Sequence, residues 1–446
     1  MKQHDFTSGN IIKQLLFFST PILLTNLLQV SYQFIDSLWV GNLLGANALG
    51  AISVSSTVIF TILSFIIGIN NATLTILSQQ KGKDDDEGLK RYLNAFVVIL
   101  TILALLLGII GFLFAESILT LLGTPQAMIT EATVYLKINF MGILFLFGYN
   151  FIGTVLRAMG DSKTPLYFVL IAVILNTILD PILMTGLNLG IQGAAYATIL
   201  SQGCAFLFGI IFVIRRQLIP FTLPTTPTKS EVGLILNLGI PSGLQMTVIS
   251  AGVMAIMSVV TSFGENVVAG FGAAQRIDSI IMLPAMALGT AVNSMAGQNI
   301  GANQMSRVYK IALYGALYNF TIMIIIASLM FLFAEYSIKL FIQESGSVNF
   351  GTEYLRAIAF FYPFLGLNFI LNGIVRAAGA MFQVLVLNVI SFWVLRYPLT
   401  YLCSKWWGDD GIAYGMGISF VISSIIAFLY FQYGKWKEKE LFQNQN

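Results

Sequence analysis

Charge is what this sequence has least of. Of its 446 residues only 10% are Asp, Glu, Lys or Arg, against 57% hydrophobic, and the mean hydropathy is +0.83. Soluble domains run near a quarter charged, so this chain cannot cover itself with a water-facing surface. Cysteine is scarce too. Cys204 and Cys403 lie far apart within apolar segments, which suggests neither a disulfide framework nor a metal cluster. The single histidine, His4, stands near the start, and no nucleophile–base constellation is evident. That argues against catalysis, so we expect neither an enzyme nor a cofactor. The net charge of +3 is small and no basic run resembles a nucleic-acid tract, which leaves nucleic acid out as a partner.

What the chain does have is apolar length. It carries 35 Phe and 16 Met, and continuous runs such as Phe96–Phe114 and Ile322–Phe333 recur throughout. Runs of about 20 residues read as transmembrane helices. A β-barrel strand would alternate apolar and polar over about ten residues, and these do not. The helix after Lys13 is too long for a cleaved signal and lacks a small-residue cleavage site, so it reads as an anchor. Twelve spans are expected, centred near residues 25, 62, 103, 147, 175, 203, 249, 282, 322, 366, 393 and 422. Between the sixth and seventh, Pro220, Pro224 and Pro227 mark a non-helical linker. The domains expected are a first lobe over 1–214, a cytoplasmic linker over 215–234, and a second lobe with a short cytoplasmic tail over 235–446.

Charge placement sets the orientation. With both termini cytoplasmic, only Lys137, Lys339, Arg356 and Lys405 fall outside and Arg276 and Arg396 within spans. The other Lys and Arg lie inside, as the positive-inside rule requires. A multi-pass protein of the plasma (inner) membrane is the expectation, with the lipid bilayer as its surroundings.

The halves repeat each other. At an offset of 219, Gly45 matches Gly264, Asn47 matches Asn266, Gln79 matches Gln298 and Gly82 matches Gly301. The same offset pairs Tyr135 with Tyr354, Arg157–Ala158 with Arg376–Ala377, and Gly160 with Gly379. A one-residue slip pairs Asn150 with Asn368, and small shifts reach Pro21 with Pro241 and Pro181 with Pro398. Units with an even number of spans insert the same way up. The repeat is therefore parallel, about a pseudo-twofold axis along the membrane normal. The fold expected is all-α and polytopic, with two six-helix lobes and a cleft that suits alternating access by rocking.

Few ionisable groups fall within the spans: Asp36, Asp180, Asp278, Arg276 and Arg396. Each costs roughly 2.5–3.5 kcal/mol in hydrocarbon on insertion scales, so something must offset it. Asp36 and Asp180 both lie in the outer half of first-lobe helices. Asn176, four residues before Asp180, shares its face. Tyr135, Asn139 and Asn150 add polar groups on the fourth span and Thr198 a hydroxyl on the sixth. The repeat acts as an internal control: the counterparts of Asp36 are near Ala255 or Ile256, those of Asn176 and Asp180 are Trp393 and Tyr397, and that of Thr198 is Met416. The scaffold was duplicated and these groups were not, which favours function over structure for them. Tyr135 and Asn150 recur as Tyr354 and Asn368 and gain no such support. Two carboxyl groups so placed could bind and release a proton, or coordinate a desolvated Na⁺ with Asn176 and Thr198.

Other features read more plainly. Arg276 and Asp278 stand two apart on the eighth span, point to different faces, and are expected to partner neighbouring helices. The acidic run Asp84–Glu87 reads as a solvated loop. Gly411-x-x-x-Gly415 and Gly41-x-x-x-Gly45 fit close helix approach. Pro21 permits a kink in the helix that carries Asp36, so it is a candidate hinge, although Pro241 repeats it in the other half.

Together these motifs resemble the multidrug and toxic compound extrusion (MATE) family, and more closely its DinF-like branch, over about residues 8–435. The resemblance rests on Pro21, on the run Gln33-Phe34-Ile35-Asp36-Ser37-Leu38-Trp39-Val40-Gly41, and on Arg157-Ala158-Met159-Gly160-Asp161-Ser162-Lys163-Thr164-Pro165. Asn176-x-x-x-Asp180-Pro181 and Gly193-Ala194-Ala195-Tyr196-Ala197-Thr198 complete it. It implies a monomeric antiporter that exports cationic or amphipathic small molecules. The coupling cation would be bound at Asp36, Asn176, Asp180 and Thr198, with Tyr135 and Asn150 as further candidates. Other branches use second-lobe acids for Na⁺. Here the seventh span has Gln245 and the tenth Asn372, which tilts the expectation to H⁺. Na⁺ coupling at the same site, or a lipid-linked precursor flippase of the wider superfamily, are the alternatives.

Overall fold

A computed structural model describes residues 5–442, so His4 lies outside the described residues. Within them the chain is helical and contains no strand. The helices are α1 (Ile11–Leu44), α2 (Ala46–Lys83), α3 (Asp86–Leu121), α4 (Gln126–Met141), α5 (Ile143–Ala158), α6 (Lys163–Pro181) and α7 (Ile191–Arg215). After an extended linker come α8 (Lys229–Val260), α9 (Glu265–Ile281), α10 (Leu283–Gly301), α11 (Met305–Lys339), α12 (Ser345–Ala359) and α13 (Tyr362–Ala377). The chain continues through α14 (Met381–Val389), α15 (Tyr397–Trp407) and α16 (Asp410–Tyr433). Among the described residues, ten helical segments are long and apolar enough to cross a membrane. The count is twelve when α4 with α5, and α12 with α13, are each taken as one span, bent by 52° and 55°.

The chain forms two compact units. One holds Thr20–Asn237, and the other holds Phe6–Ser19 together with Leu238 onwards. The divisions fall inside α1 and inside α8, so the start of each of these helices is counted with the unit that does not hold its remainder. In the second unit, Arg307 fastens the incoming N-terminal segment. Its Nη2 donates to the Phe6 carbonyl at 2.9 Å and its Nη1 to the Gly9 carbonyl at 3.0 Å. Gln298 and Asn299 bind the Phe6 amide and carbonyl at 3.1 and 3.0 Å. In the first unit, Asn94 makes a reciprocal amide pair with the backbone of Thr225 in the linker, 2.9 Å in both directions.

The repeat is visible in backbone geometry as well as in sequence. Gly45 and Gly264 carry φ of +90° and +95°, and Gly160 and Gly379 carry +85° and +83°. L residues rarely adopt this region, so these matched glycines are demanded by the turns between spans. Each lobe also has a π-helical segment in its fifth span, Ile182–Gly186 at the end of one and Ile390–Arg396 near the middle of the other, beside Pro181 and Pro398.

Two local expectations change. Gly41-x-x-x-Gly45 is no helix-approach motif, because a Cβ on Gly45 would meet nothing within 4 Å. Gly45 ends α1 by its positive φ. Gly411 and Gly415, by contrast, do seat α16 on α15, where added Cβ atoms would fall 2.1 Å from the Cys403 carbonyl oxygen and 2.4 Å from Thr400 Cα. The acidic run is solvated as expected, with Asp84, Asp86 and Glu87 exposed, but it caps two helices instead of forming an open loop. Asp84 is the left-handed C-cap of α2, and Asp85 accepts from the Gly88 amide at 2.9 Å to cap α3. Apolar side chains also stand outward. On α3, Ile102, Leu105, Leu106, Ile109 and Leu113 are each more than half exposed at helical spacing, a stripe suited to lipid.

Candidate ion site in the first lobe

The first lobe brings Asp36 of α1 and Asp180 of α6 together although the sequence separates them widely. Their carboxyl groups lie within hydrogen-bond reach of one another. Asp36 is 9% exposed and Asp180 0%. Asn176, one turn before Asp180, is also fully buried and donates through Nδ2 to Asp180 Oδ1 at 3.2 Å.

Two facing carboxylates are acceptors without a donor between them. Accordingly Asp36 Oδ1 and Asp180 Oδ2 are buried with no hydrogen-bond partner, and so is Asn176 Oδ1 nearby. Buried polar atoms are nearly always paired, so three orphaned oxygens in one place mark a site that something else completes. A proton on the carboxyl pair, or a small cation among the oxygens, supplies the missing positive charge.

The other candidates divide. Thr198 on α7 flanks the site through Tyr32, with its own hydroxyl donating to the Ala194 carbonyl at 3.1 Å. Tyr135 on α4 is buried beside Asp36 and Tyr32. Asn150 stands on α5, beyond the 52° bend from Tyr135, and its amide donates to the Leu146 carbonyl at 2.8 Å. Pro21 sits buried in the unbroken α1, two residues past the division between the units, and its carbonyl accepts from Thr25 at 2.7 Å.

Sequence reasoning missed Tyr32 and Ser201, the second of which stands on α7 with Thr198 beside the Tyr32 hydroxyl. Tyr32 precedes Asp36 by four residues and Ser201 follows Thr198 by three, spacings that place each pair on one helical face. Applying to them the test that found Asn176 would have found both.

The MatE family model matches residues 21–182 and 241–402, once in each half. The chain belongs to the MatE family. Both matches begin at a proline of the repeat, Pro21 and Pro241. Among curated relatives in the family's company, the chain is 62% identical over 442 residues to the Bacillus subtilis "Probable multidrug resistance protein YpnP", covering 99% of each. It is 25% identical to a protein of Shewanella oneidensis named "FAD transporter", covering 96% of this chain and 95% of that one. A solved outward-facing multidrug resistance MATE family transporter superposes with a TM-score of 0.92 at 24% identity. That match covers 99% of this chain and 100% of the other, and shows a shared fold.

Proposed function

We propose that this protein is a multidrug efflux antiporter of the cell membrane, exporting cationic or amphipathic small molecules in exchange for H⁺ by alternating access. It acts as a monomer with both termini cytoplasmic. The observation that carries the coupling half of this reading is the Asp36–Asp180 pair: two enclosed carboxyl groups in contact, with no donor between them. A proton satisfies that contact directly. The export half rests on family membership and on the names that the relatives carry.

The physics of the exchange follows from the pair. With one proton on the pair, the site carries a single negative charge and its oxygens share a donor. Fully deprotonated, it holds two facing negative charges away from water, so the two states favour different packings of the surrounding helices. Entry of one charge through 100 mV supplies about 2.3 kcal/mol, enough to bias a conformational equilibrium by tens of fold. Pro21 gives α1 a place to bend, since it cannot donate to the Phe17 carbonyl one turn back. The orphaned Asn176 Oδ1 beside the two carboxyl groups supports a second reading, in which Na⁺ occupies the same site.

The test is efflux from proteoliposomes under an imposed pH gradient or an imposed Na⁺ gradient, with Asp36→Asn alongside. Efflux driven by the pH gradient in the native protein and lost in Asp36→Asn supports the assignment. Unchanged efflux in Asp36→Asn removes the coupling site, and efflux driven by Na⁺ alone replaces H⁺ with Na⁺.

A further inference from the structure

Three elements of the second lobe, α11, α12 and the start of α16, leave a cavity of about 390 Å³ between them. Proteins hold small ligands in cavities of roughly 300–1,000 Å³. The walls carry charge of both signs. Glu353 and Arg356 line it from α12, and Asp409 and Asp410 from the turn into α16. Among the described residues, no ion pair within 4.0 Å joins Arg356 to any of these acids. Arg356 is tied to its own wall instead. Its Nε donates to the Phe331 carbonyl of α11 at 3.2 Å, and its guanidinium lies 5.9 Å from the Phe331 ring centre. Asp409 stands at the N-cap of α16, yet its side chain makes no capping bond. One cavity thus holds acids and a base that do not neutralise each other.

Depth in the membrane decides the kind of occupant. The turns from α11 to α12 and from α15 to α16 lie at the same end of the lobe, the outer end when both termini are cytoplasmic. Trp406 and Trp407, just before the second turn, are each more than half exposed. Their rings adjoin at 6.0 Å, and Trp407 meets Tyr414 of the cavity wall at 6.2 Å. Exposed Trp and Tyr gather where headgroups meet acyl chains. Phe331 and Phe360 also line the cavity, meet edge-on at 5.6 Å and are exposed, as are Leu332 and Phe333 beside them. This rim is apolar and suited to lipid, so the charged cavity sits at headgroup level beside a lipid-facing sill.

The repeat separates two parts of this arrangement. Arg356 and Phe331 are the counterparts of Lys137 and Phe112, and Lys137 Nζ lies over the Phe112 ring at 5.6 Å. A base over a ring is therefore common to both lobes. The acids are not. Glu353 falls opposite Val134, and at the offset that pairs Gly411 with Gly193, Asp409 and Asp410 fall opposite Ile191 and Gln192. A guanidinium offers paired donors to a phosphate, which every phospholipid brings. Carboxylates add a demand for a positive group, and a primary ammonium meets it with three N–H donors. Phosphatidylethanolamine carries both groups. Phosphatidylcholine has no N–H to donate, and phosphatidylglycerol has no positive charge.

We propose that this cavity binds the headgroup of phosphatidylethanolamine from the outer leaflet, its phosphate on Arg356 and its ammonium among Glu353, Asp409 and Asp410. The site is separate from the Asp36–Asp180 pair and independent of the coupling ion and of what is exported. Native mass spectrometry of the purified, delipidated full chain tests it, with the dihexanoyl forms of phosphatidylethanolamine, phosphatidylcholine and phosphatidylglycerol as probes. The native chain should bind the ethanolamine lipid at least about tenfold more tightly than either other, since each of those lacks the charge-assisted ammonium contact. Arg356→Gln should weaken all three by at least about tenfold. The double variant Asp409→Asn, Asp410→Asn should lose the preference over phosphatidylcholine, whereas Lys137→Gln should keep it. In the native chain, the ethanolamine lipid should slow phenylglyoxal modification of Arg356 by at least about tenfold, a readout that needs no variant to fold. Equal binding of the three lipids, a preference that survives the double variant, or modification of Arg356 indifferent to the lipid overturns the proposal. Free phosphoethanolamine should bind far more weakly, having nothing to lay on Phe331 and Phe360. Equal binding of it would make the ligand a soluble zwitterion and overturn the lipid assignment.

Discussion

Asp36, late in α1, and Asp180, at the end of α6, place their carboxyl groups within hydrogen-bond reach at 9% and 0% exposure, with one oxygen of each unpartnered. Groups in such contact act as a unit. Asp36→Asn and Asp180→Asn are each expected to lower pH-driven efflux by at least about tenfold, and the double variant to be little worse than the poorer single. Substrate counterflow without an ion gradient should survive in all three. Additive losses in the double variant would show that the two carboxyl groups work separately.

Backbone conformation yields a matched pair of substitutions. Gly264 has φ of +95° and Gly272 an ordinary helical backbone, and a Cβ at either would meet nothing within 4 Å. Gly264→Ala should therefore destabilise by about 1–3 kcal/mol, because its φ of +95° with ψ of 178° lies in a region essentially reserved for glycine. Gly272→Ala should stabilise by about 0.4–1 kcal/mol by restricting the unfolded chain. Denaturant or thermal unfolding in detergent measures both, and equal effects would refute the backbone argument.

The Arg307 clamp makes a prediction at single-amide resolution. The Phe6 amide donates to Gln298 Oε1 at 3.1 Å, inside a segment that Arg307 holds by its carbonyls. Hydrogen bonds to a charged group contribute about 1.5–3 kcal/mol, so Arg307→Ala should speed hydrogen exchange at Phe6 by roughly tenfold to a hundredfold. Exchange at the linker residue Thr225, held by Asn94 in the other unit, should not change. Unaltered exchange at Phe6 would mean that the clamp contributes nothing to holding the segment.

Cysteine chemistry tests the lipid-facing surface. Cys204 is exposed on α7, among Leu200, Leu207, Phe208 and Ile211, which are each 46–53% exposed. In proteoliposomes it should react with a lipophilic maleimide and resist a charged one, while detergent-denatured protein reacts with both. Rapid reaction with the charged reagent in the bilayer would place water at that face.

The site was legible where its residues share a helix. Asn176 and Asp180 are four apart, and their hydrogen bond follows from helical spacing. Asp36 and Asp180 were legible only as two costly charges in the same lobe. Their contact depends on how α1 packs beside α6, which no local pattern encodes. The 52° bend between Tyr135 and Asn150, which share the fourth span, was not legible at all. Asp278 was read as a charge that partners neighbouring helices. That it does so through Tyr354 and Tyr362 is a matter of side-chain placement across three helices.

The sequence by itself determined that this chain lives in a membrane, because so little charge cannot clothe 446 residues in water. It also determined the duplication, since matched glycines at a fixed offset reflect turns whose positive φ only the local backbone demands. Tertiary structure alone decided which of the buried acids meet one another and which stands apart. Charge in hydrocarbon is costly wherever it falls, but whether a carboxylate faces another carboxylate or two tyrosines depends on packing between helices far apart in the chain. That packing made Asp36 and Asp180 a pair, and set Asp278 against Tyr354 and Tyr362.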